Sequence, residues 1–448
     1  MKAAFFDYLS RNIQSVGKLS DIDAHVSYSE LLDLIKKYTF LAAHSRVGPG
    51  AICTWTVKNS IEDLIIMFSL FRVGAIGVPL FSRWTEFEVK NIQKTLGVCF
   101  HYENKRWHEL EDIEPLTWKE PAGPGLIFFT SGTTGGSRFV FHSEKKLLDN
   151  AIRSAQFQEM TEDSHALCMI TMSHLGGLGM QTLPALVSGA SLTLVPTFTH
   201  SNFFKFCHSG ITHTILVPSQ YRQLAKKEEW KNLDLSHLKF LLTGSSPVDE
   251  RMVIDLRSRN ANLIGVYGLT EIGPFVAISN LSNFPESGVY PLGVLHQDYE
   301  IKLEEGEIHL KGPCVGSHII IDGEIIRLVE PEWVKTGDLG KISNSEIFLT
   351  GRSKMLIDIG SLKVNPYEVE EIINRFPGVV DSAVTSDKST GEEIIVAYVM
   401  GNFSKSELSQ FLKNHLAIYK IPRKILHVDN ISRTSLEKAN YKNLVQNA

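Results

Sequence analysis

Thr130, Ser131, Gly132, Thr133, Thr134, Gly135 and Gly136 form a run of seven small residues, entered from the apolar stretch GLIFFT at 125–130. Glycines let a backbone curl until successive N–H groups point inward, and the hydroxyls add further donors. The product is an anion-binding nest sized for phosphate oxygens. Arg138, just beyond it, adds a positive charge on a long stem. The spacing G-x-x-x-x-G-K-[ST] is absent, so this is not a Walker A loop. A Gly/Ser/Thr run alone favours an ordinary flexible loop. The phosphate reading therefore rests on the strand that feeds the run and on the segments downstream.

A nest must be held by rigid elements, and the pattern around it supplies them. Strand-like runs lie at 51–57, 125–130, 166–172, 191–196, 213–218 and 239–244, and amphipathic helical patterns lie at 61–72, 145–157 and 249–259. This alternation predicts βαβ units and a parallel sheet covered by helices. After about residue 285 the character changes. Residues 306–312, 318–329 and 340–351 read as strand–turn–strand, with Asp322 and Gly323 as a hairpin turn, and they predict a β subdomain. Beyond Arg352, Pro366 opens a helix, and strands and a further helix follow in α+β order. The fold class expected is thus α/β. A large N-terminal domain, residues 1–351, would carry parallel sheets and the β subdomain, and a small α+β C-terminal domain would occupy 352–448.

The chain has 448 residues, which suits two to four structural units, and its 43% apolar and 21% charged content is that of a globular protein. Disorder, collagen repeats and coiled coil are excluded as the main architecture. The net charge of −5, with no basic stripe, argues against nucleic acid as a partner. The most apolar stretch, 64–81, is broken by Ser69, Arg72, Gly74, Gly77 and Pro79, and predicts a buried helix and strand rather than a membrane span. Five scattered cysteines without CxxC spacing, and an N-terminus without the apolar core of a signal peptide, predict free thiols in the cytoplasm.

The run TSGTTG after a strand resembles the phosphate loop of the adenylate-forming superfamily, which includes acyl-CoA synthetases and luciferases. Four further segments fit in order: YGLTE at 267–271, KTGDLG at 335–340, GRSKMLIDIGSLKVNPYEVE at 351–370 and SRTSLEKANYKNL at 432–444. The resemblance implies a reaction in two halves. A carboxylate attacks the α-phosphate of ATP and releases pyrophosphate, and then the thiol of coenzyme A displaces AMP. It implies that residues 130–135 cradle the pyrophosphate portion of ATP, helped by Arg138. Tyr267 would stack on adenine, with Gly244, Ser245 and Gly268 against the nucleotide. Thr270 would meet the α-phosphate, and Glu271 would bind Mg²⁺, a hard ion that prefers oxygen ligands. Asp338 would accept from both ribose hydroxyls, with Arg352 reaching ribose or phosphate. Lys438 would bridge the carboxylate and the α-phosphate. Lys354 would be the hinge of a mobile C-terminal domain, and Gly360 and Ser361 would approach the pantetheine tunnel.

The segment MSHLGGLGM at 172–180 is similar to the acyl-pocket segment of that superfamily, so His174 is expected at the acid. Residues 212–224 resemble a segment of the o-succinylbenzoate–CoA ligases of menaquinone biosynthesis. Of the acids open to the class, that resemblance favours o-succinylbenzoate, whose second carboxylate would need a donor. Ser219, Gln220 and Arg222 are the candidates. Two alternatives stand beside it: ligation of another aryl or short- to medium-chain acid, and a catalytically silent nucleotide-binding relative. The second is prompted by departures from the family pattern at Ser137, Phe139, Met355, Ser432 and Glu437.

Overall fold

β-Branched and aromatic runs bounded by helices build two large sheets. The structure, a computed structural model, describes residues 4–13, 17–111, 113–116, 123–130, 138–246, 248, 250–283, 290–321, 323–327, 333–360, 362–388, 393–433 and 439. In one sheet, strands Phe100–Glu103, Ile52–Val57, Ile76–Phe81 and Gly125–Thr130 lie side by side in parallel. In the other, Ser191–Leu194, His165–Cys168, His213–Ile215, Phe240–Thr243 and Leu263–Leu269 do the same. These are strands of the α/β pattern expected above, joined by helices such as Glu144–Phe157 and Glu250–Ser258.

The helix Ile61–Val73 shows how the two sheets are joined. It is apolar on nearly every face, and only Glu62, Arg72 and Val73 escape burial. A helix without a polar face must be covered on all sides. Its neighbours in one continuous core are Trp55, Leu126 and Phe128 of the first sheet and Ala166, Leu192 and Leu194 of the second. Ser60 caps its start, bonded reciprocally with Asp63, and Gly74 ends it at φ 81°. Residues 64–81 are therefore this helix and the strand after it. No helix among the described residues is long and apolar enough to cross a membrane.

The β-rich segment has its own small core, which includes Tyr299, Ile308, Leu310 and Val334, yet its strands extend both large sheets. Val334–Ser343 and Glu346–Arg352 pair antiparallel and continue the sheet that holds Leu263–Leu269. His318–Ile321 pairs with Arg138–Ser143 of the other sheet. One segment thus ties the two sheets together beside the loop at 131–137.

Beyond residue 356 a separate core forms. Helices Pro366–Asn374 and Lys405–His415 pack on strands Val379–Asp387, Ile394–Gly401 and Lys424–His427. The architecture is thus a large N-terminal α/β domain followed by a small C-terminal domain.

Two strands stop earlier than the apolar runs suggest. The strand at 165 ends at Cys168 because the buried Asn59 side chain takes over the hydrogen bonding. It donates to Ile170 O at 3.0 Å and accepts from Met172 N at 2.8 Å. The strand at 213 ends at Ile215 because Pro218 opens a helix whose Gln220 accepts from Val217 N at 3.2 Å.

His213 is wholly buried and stacked on Phe240, with Nε2 2.8 Å from Gln158 O. Burial holds its pKa below the ordinary 6.5. The unfolded chain therefore binds that proton first, and the stability His213 contributes is whole above 6.5 and is lost as pH falls. His213→Gln should lower the melting temperature at pH 7.5 but show a smaller further drop between pH 7.5 and 5.5 than the parent. An equal or steeper drop in the variant would remove His213 as a source of the acid sensitivity.

Candidate active site

In open α/β sheets the usual place for a ligand is outside the carboxyl ends of the parallel strands. Thr130 ends one strand and pairs across the ladder with Arg138, so residues 131–137 are the connection of an antiparallel hairpin. Ser131, Gly132, Thr133, Thr134 and Gly135 lie outside the described residues. The stem is rigid: Phe128 and Phe139 are fully buried, and Phe139 packs edge-on against Phe129. Phe139 thus fills the core under the loop.

Opposite the stem, the strand Leu263–Leu269 delivers Tyr267, which is buried, and Gly268. A Cβ at 268 would stand 2.4 Å from the carbonyl oxygens of Gly273 and Pro274, so only glycine fits. The Tyr267 hydroxyl donates to Asp338 Oδ2 at 2.8 Å, and Arg352 Nε donates to Asp338 Oδ1 at 2.6 Å. Asp338 is buried, and it sits directly across from Arg352 in the ladder. Burial and then the carboxylate push the Tyr267 hydroxyl well above the ordinary tyrosine range. For Arg352 burial pulls downward, the Asp338 charge outweighs it, and the net shift is up. Tyr267, Asp338 and Arg352 are thus brought together as one hydrogen-bonded unit. Asp338 already accepts from two donors within the protein, which leaves about two further lone pairs for a ligand.

The turn after Tyr267 carries Thr270 and Glu271, whose side chains are partly exposed. Glu271 Oε1 lies 3.6 Å from Arg138 Nη1, so the loop's closing residue meets the turn directly. Beneath it, His142 Nε2 lies 2.6 Å from Thr270 O. Among the described residues no group of three His, Cys, Asp or Glu side chains converges. A metal held here would rest on Glu271 and on oxygens that arrive with a ligand, which suits Mg²⁺. Gly244 and Ser245 follow the strand Phe240–Thr243; Ser245 takes φ 67°, and a Cβ at 244 would meet Val266 O at 2.6 Å.

His174 is buried, with its ring 6.2 Å from that of Phe81. From Phe81 a row of half-buried rings runs through Trp84, at 6.2 Å, to Phe129, at 5.4 Å, next to Thr130. His174 is followed by a π-helical stretch, Leu178–Thr182, a distortion often found at functional sites. Gly177 lies just ahead of it, and a Cβ there would stand 2.5 Å from Thr171 O. Ser219 and Gln220 are both buried just after the strand His213–Ile215, and the Ser219 hydroxyl has no hydrogen-bond partner among the described residues.

The AMP-binding enzyme family matches residues 101–319 and its C-terminal domain matches residues 368–438, together more than half of the chain. The chain belongs to the AMP-binding enzyme superfamily. It is an ATP-dependent acyl-CoA ligase, an enzyme of acid–thiol ligation. It is 27% identical to the indoleacetate–CoA ligase of Aromatoleum aromaticum over 92% of this chain and 91% of that one. It is 24% identical to the 2-succinylbenzoate–CoA ligase of Listeria innocua over 85% of each. The o-succinylbenzoate coenzyme A synthetase of Bacillus subtilis, solved with ATP and magnesium ion, shares its fold, with a TM-score of 0.83 and 22% identity over 98% of this chain and 99% of that one.

In this AMP-binding enzyme the C-terminal domain docks through ion pairs that motif reading did not anticipate. Arg222 Nε, expected at the acid, lies instead 3.1 Å from Asp381 Oδ1 of the strand Val379–Asp387. Arg433 pairs with the other oxygen of Asp381. Arg251 Nη1 donates to Val379 O at 3.1 Å, and Glu250 faces Arg375 at 3.5 Å. Lys354 is exposed in a short 3₁₀ turn, and Gly360 is exposed at φ 63° with open space about it. Lys438 and Ser361 lie outside the described residues. Ala439 pairs with Arg433 and packs on the C-terminal core. His142 and Asp381 are the site-shaping residues that sequence reasoning missed. Their only signal was a titratable side chain inside an otherwise apolar strand, FVFHS and VVDSAV.

The Asp338 unit makes a stability prediction. Tyr267→Phe removes one hydrogen bond to a charged acceptor and should cost about 1.5–3 kcal/mol. Asp338→Asn strips a largely buried guanidinium of its counter-charge and should cost more, about 3 kcal/mol or above. Urea midpoints of the two variants check the order, and the reverse order would mean that Arg352 finds other compensation.

Proposed function

We propose that this AMP-binding enzyme joins an aromatic monocarboxylic acid to coenzyme A through an acyl-adenylate. The observation that carries the reading is the row of half-buried rings from His174 through Phe81 and Trp84 to Phe129, which ends at the phosphate loop. Flat, polarisable side chains offer an aryl ring edge and face contacts that an alkyl chain uses less well. The 27% identity to an indoleacetate–CoA ligase over nearly the whole chain supports the same class.

In this reading the backbone of residues 130–135, with Arg138, receives the triphosphate, and Tyr267 with Gly244, Ser245 and Gly268 lines the base. Asp338 keeps its outer lone pairs for ribose hydroxyls while Tyr267 and Arg352 hold its orientation. The Thr270 hydroxyl meets the α-phosphate. Glu271 supplies one carboxylate to a Mg²⁺ that arrives with the nucleotide, and that ion, when bound, neutralises phosphate charge. The Arg138–Glu271 pair then opens as both residues take ligand partners. Phosphoryl chemistry of this kind needs charge placement more than proton transfer. His174 lies at the acid. We take Gly351–Arg352 as the boundary between domains 1–351 and 352–448, because the strand Glu346–Arg352 still belongs to the large sheet. The hinge is at Lys354, and Gly360 and Ser361 lie by the entering thiol of coenzyme A. Lys438 bridges the acid and the α-phosphate. The five free cysteines fit a cytoplasmic enzyme.

A second reading, o-succinylbenzoate and hence menaquinone biosynthesis, has residues 212–224, the Listeria relative and the unpartnered Ser219 hydroxyl in its favour. The pairing of Arg222 with Asp381 weighs against it. The one cation expected for a second carboxylate is already engaged by Asp381, and a buried unpaired carboxylate is costly.

Pyrophosphate release from ATP and Mg²⁺ should be fastest with aryl monoacids such as indole-3-acetate or 4-coumarate, in a panel with benzoate, o-succinylbenzoate and octanoate. Preference for o-succinylbenzoate would select the second reading. Turnover of octanoate alone would remove both, and no turnover with any acid despite nucleotide binding would mark a silent relative. Lys438→Ala should abolish pyrophosphate release yet leave coenzyme A able to displace AMP from a supplied acyl-adenylate. Equal loss of both half-reactions would refute the assigned role.

A further inference from the structure

Three consecutive carbonyls of the turn that bears Thr270 and Glu271 are each held by a donor from a different part of the chain. His142 Nε2 stands 2.6 Å from Thr270 O, Gly316 N donates to Glu271 O at 2.9 Å, and the Tyr299 hydroxyl donates to Ile272 O at 3.2 Å. A carbonyl accepts only, so His142 must carry its proton on Nε2 to make that contact. His142 is 2% exposed and wholly within the protein, with its ring edge-on to Phe128 of the strand that enters the phosphate loop.

Position 142 has a second tie to the loop. On the strand Arg138–Ser143 successive side chains alternate faces, so Arg138, Val140 and His142 share one. That face meets the turn at two places: Arg138 at the Glu271 carboxylate and His142 at the Thr270 carbonyl. Between them, Val140 Cγ1 would stand 2.4 Å from a Cβ on Gly316, the residue whose N–H holds Glu271 O. The strand that closes the phosphate loop therefore lies flush against the turn. With its carbonyls drawn inward, the turn presents the Thr270 and Glu271 side chains outward to the cleft.

We infer that His142 is a positioning residue for adenylate formation, which fixes Thr270 and Glu271 in register with the phosphate loop without touching any substrate. The inference rests on the roles proposed above for Thr270 and Glu271. A displacement near 1 Å at such a site costs about a hundredfold in rate. The chemistry that suffers is the half-reaction at phosphorus, not the later thiol attack.

The test uses the full-length enzyme with ATP, Mg²⁺ and the aryl acid that the parent turns over fastest. His142→Leu fills the volume and removes the donor. It should lower kcat for pyrophosphate release about ten- to a hundredfold and raise the Mg²⁺ concentration for half-maximal rate. KM for the acid and the rate of thiolysis of a supplied acyl-adenylate should stay within about twofold. His142→Gln places an amide N–H at the reach of Nε2 and should recover most of the loss, whereas His142→Asn, too short, should not. Should the Leu variant fail to fold, the Gln and Asn pair decides. Equal activity of those two, equal loss in both half-reactions, or an unchanged kcat in His142→Leu would each overturn the role of His142 while leaving the ligase standing. A parent enzyme that turns over no acid would overturn the ligase reading first and this role with it.

Discussion

A single buried carboxylate, that of Asp338, sets the geometry of the cleft. Its two oxygens are taken by the Tyr267 hydroxyl at 2.8 Å and the Arg352 guanidinium at 2.6 Å. A charge in that position is tolerated only because it is both paired and hydrogen-bonded. Three strands depend on the arrangement: Leu263–Leu269, Val334–Ser343 and Glu346–Arg352. The last of these leads straight into the C-terminal domain, so the carboxylate anchors the N-terminal side of the connection at its final ordered strand. The connection to the C-terminal domain thus starts from a point fixed by Asp338.

The two walls of the cleft come from different sheets, and they are held in register by direct contacts. One wall is the strand pair Gly125–Thr130 and Arg138–Ser143, which flanks the segment that resembles a phosphate loop. The other is Leu263–Leu269 and the turn after it. Arg138 to Glu271 and His142 to Thr270 cross from one to the other, and the strand His318–Ile321 extends the first sheet while Glu307–Lys311 before it and Val334–Ser343 beyond it extend the second. A reaction that depends on placing charge around phosphorus needs such cross-ties, because small displacements are expensive and side-chain chemistry offers little else to compensate.

Much of this was visible in the residues themselves. The parallel strands, the nearly all-apolar helix after Ser60, the hairpin character of 318–329 and the α+β order after Arg352 all follow from periodicity and turn chemistry. What periodicity could not show was where a side chain replaces a backbone ladder. Asn59 halts one strand at Cys168 in just this way, and Gln220 with Pro218 halts another at Ile215. Motif reading likewise put Asp338, Tyr267 and Arg352 at one ligand but not in one hydrogen-bonded unit, since their contacts join positions 71 and 14 residues apart in the chain. Arg222 is the instructive miss. A cation in a motif beside the acid segment reads as a substrate ligand, and only the placement of a second domain reveals Asp381 as its partner.

That placement has a physical logic for an enzyme whose resemblance implies a swinging domain. Among the described residues several charged contacts cross the domain boundary, Arg222 and Asp381, Glu250 and Arg375, and Arg251 to the Val379 carbonyl, beside the neutral bond from Asn365 Nδ2 to Thr350 O. The partly exposed Glu250–Arg375 pair contributes little net stability, and the attraction in the buried Arg222–Asp381 pair is offset by the cost of taking both ions out of water. A seam built from them can direct a docked orientation without making it permanent. An apolar seam of the same area would hold the domain far more tightly and would expose hydrocarbon on every opening. Within the C-terminal domain the opposite choice is made, since its own core of Val369, Ile373, Val384, Ile395 and Leu408 is apolar and buried. The C-terminal domain therefore has an apolar core of its own, distinct from its polar seam with the large domain. Arg433 pairs with the same Asp381, so one carboxylate serves both the docking contact and the C-terminal domain's own packing.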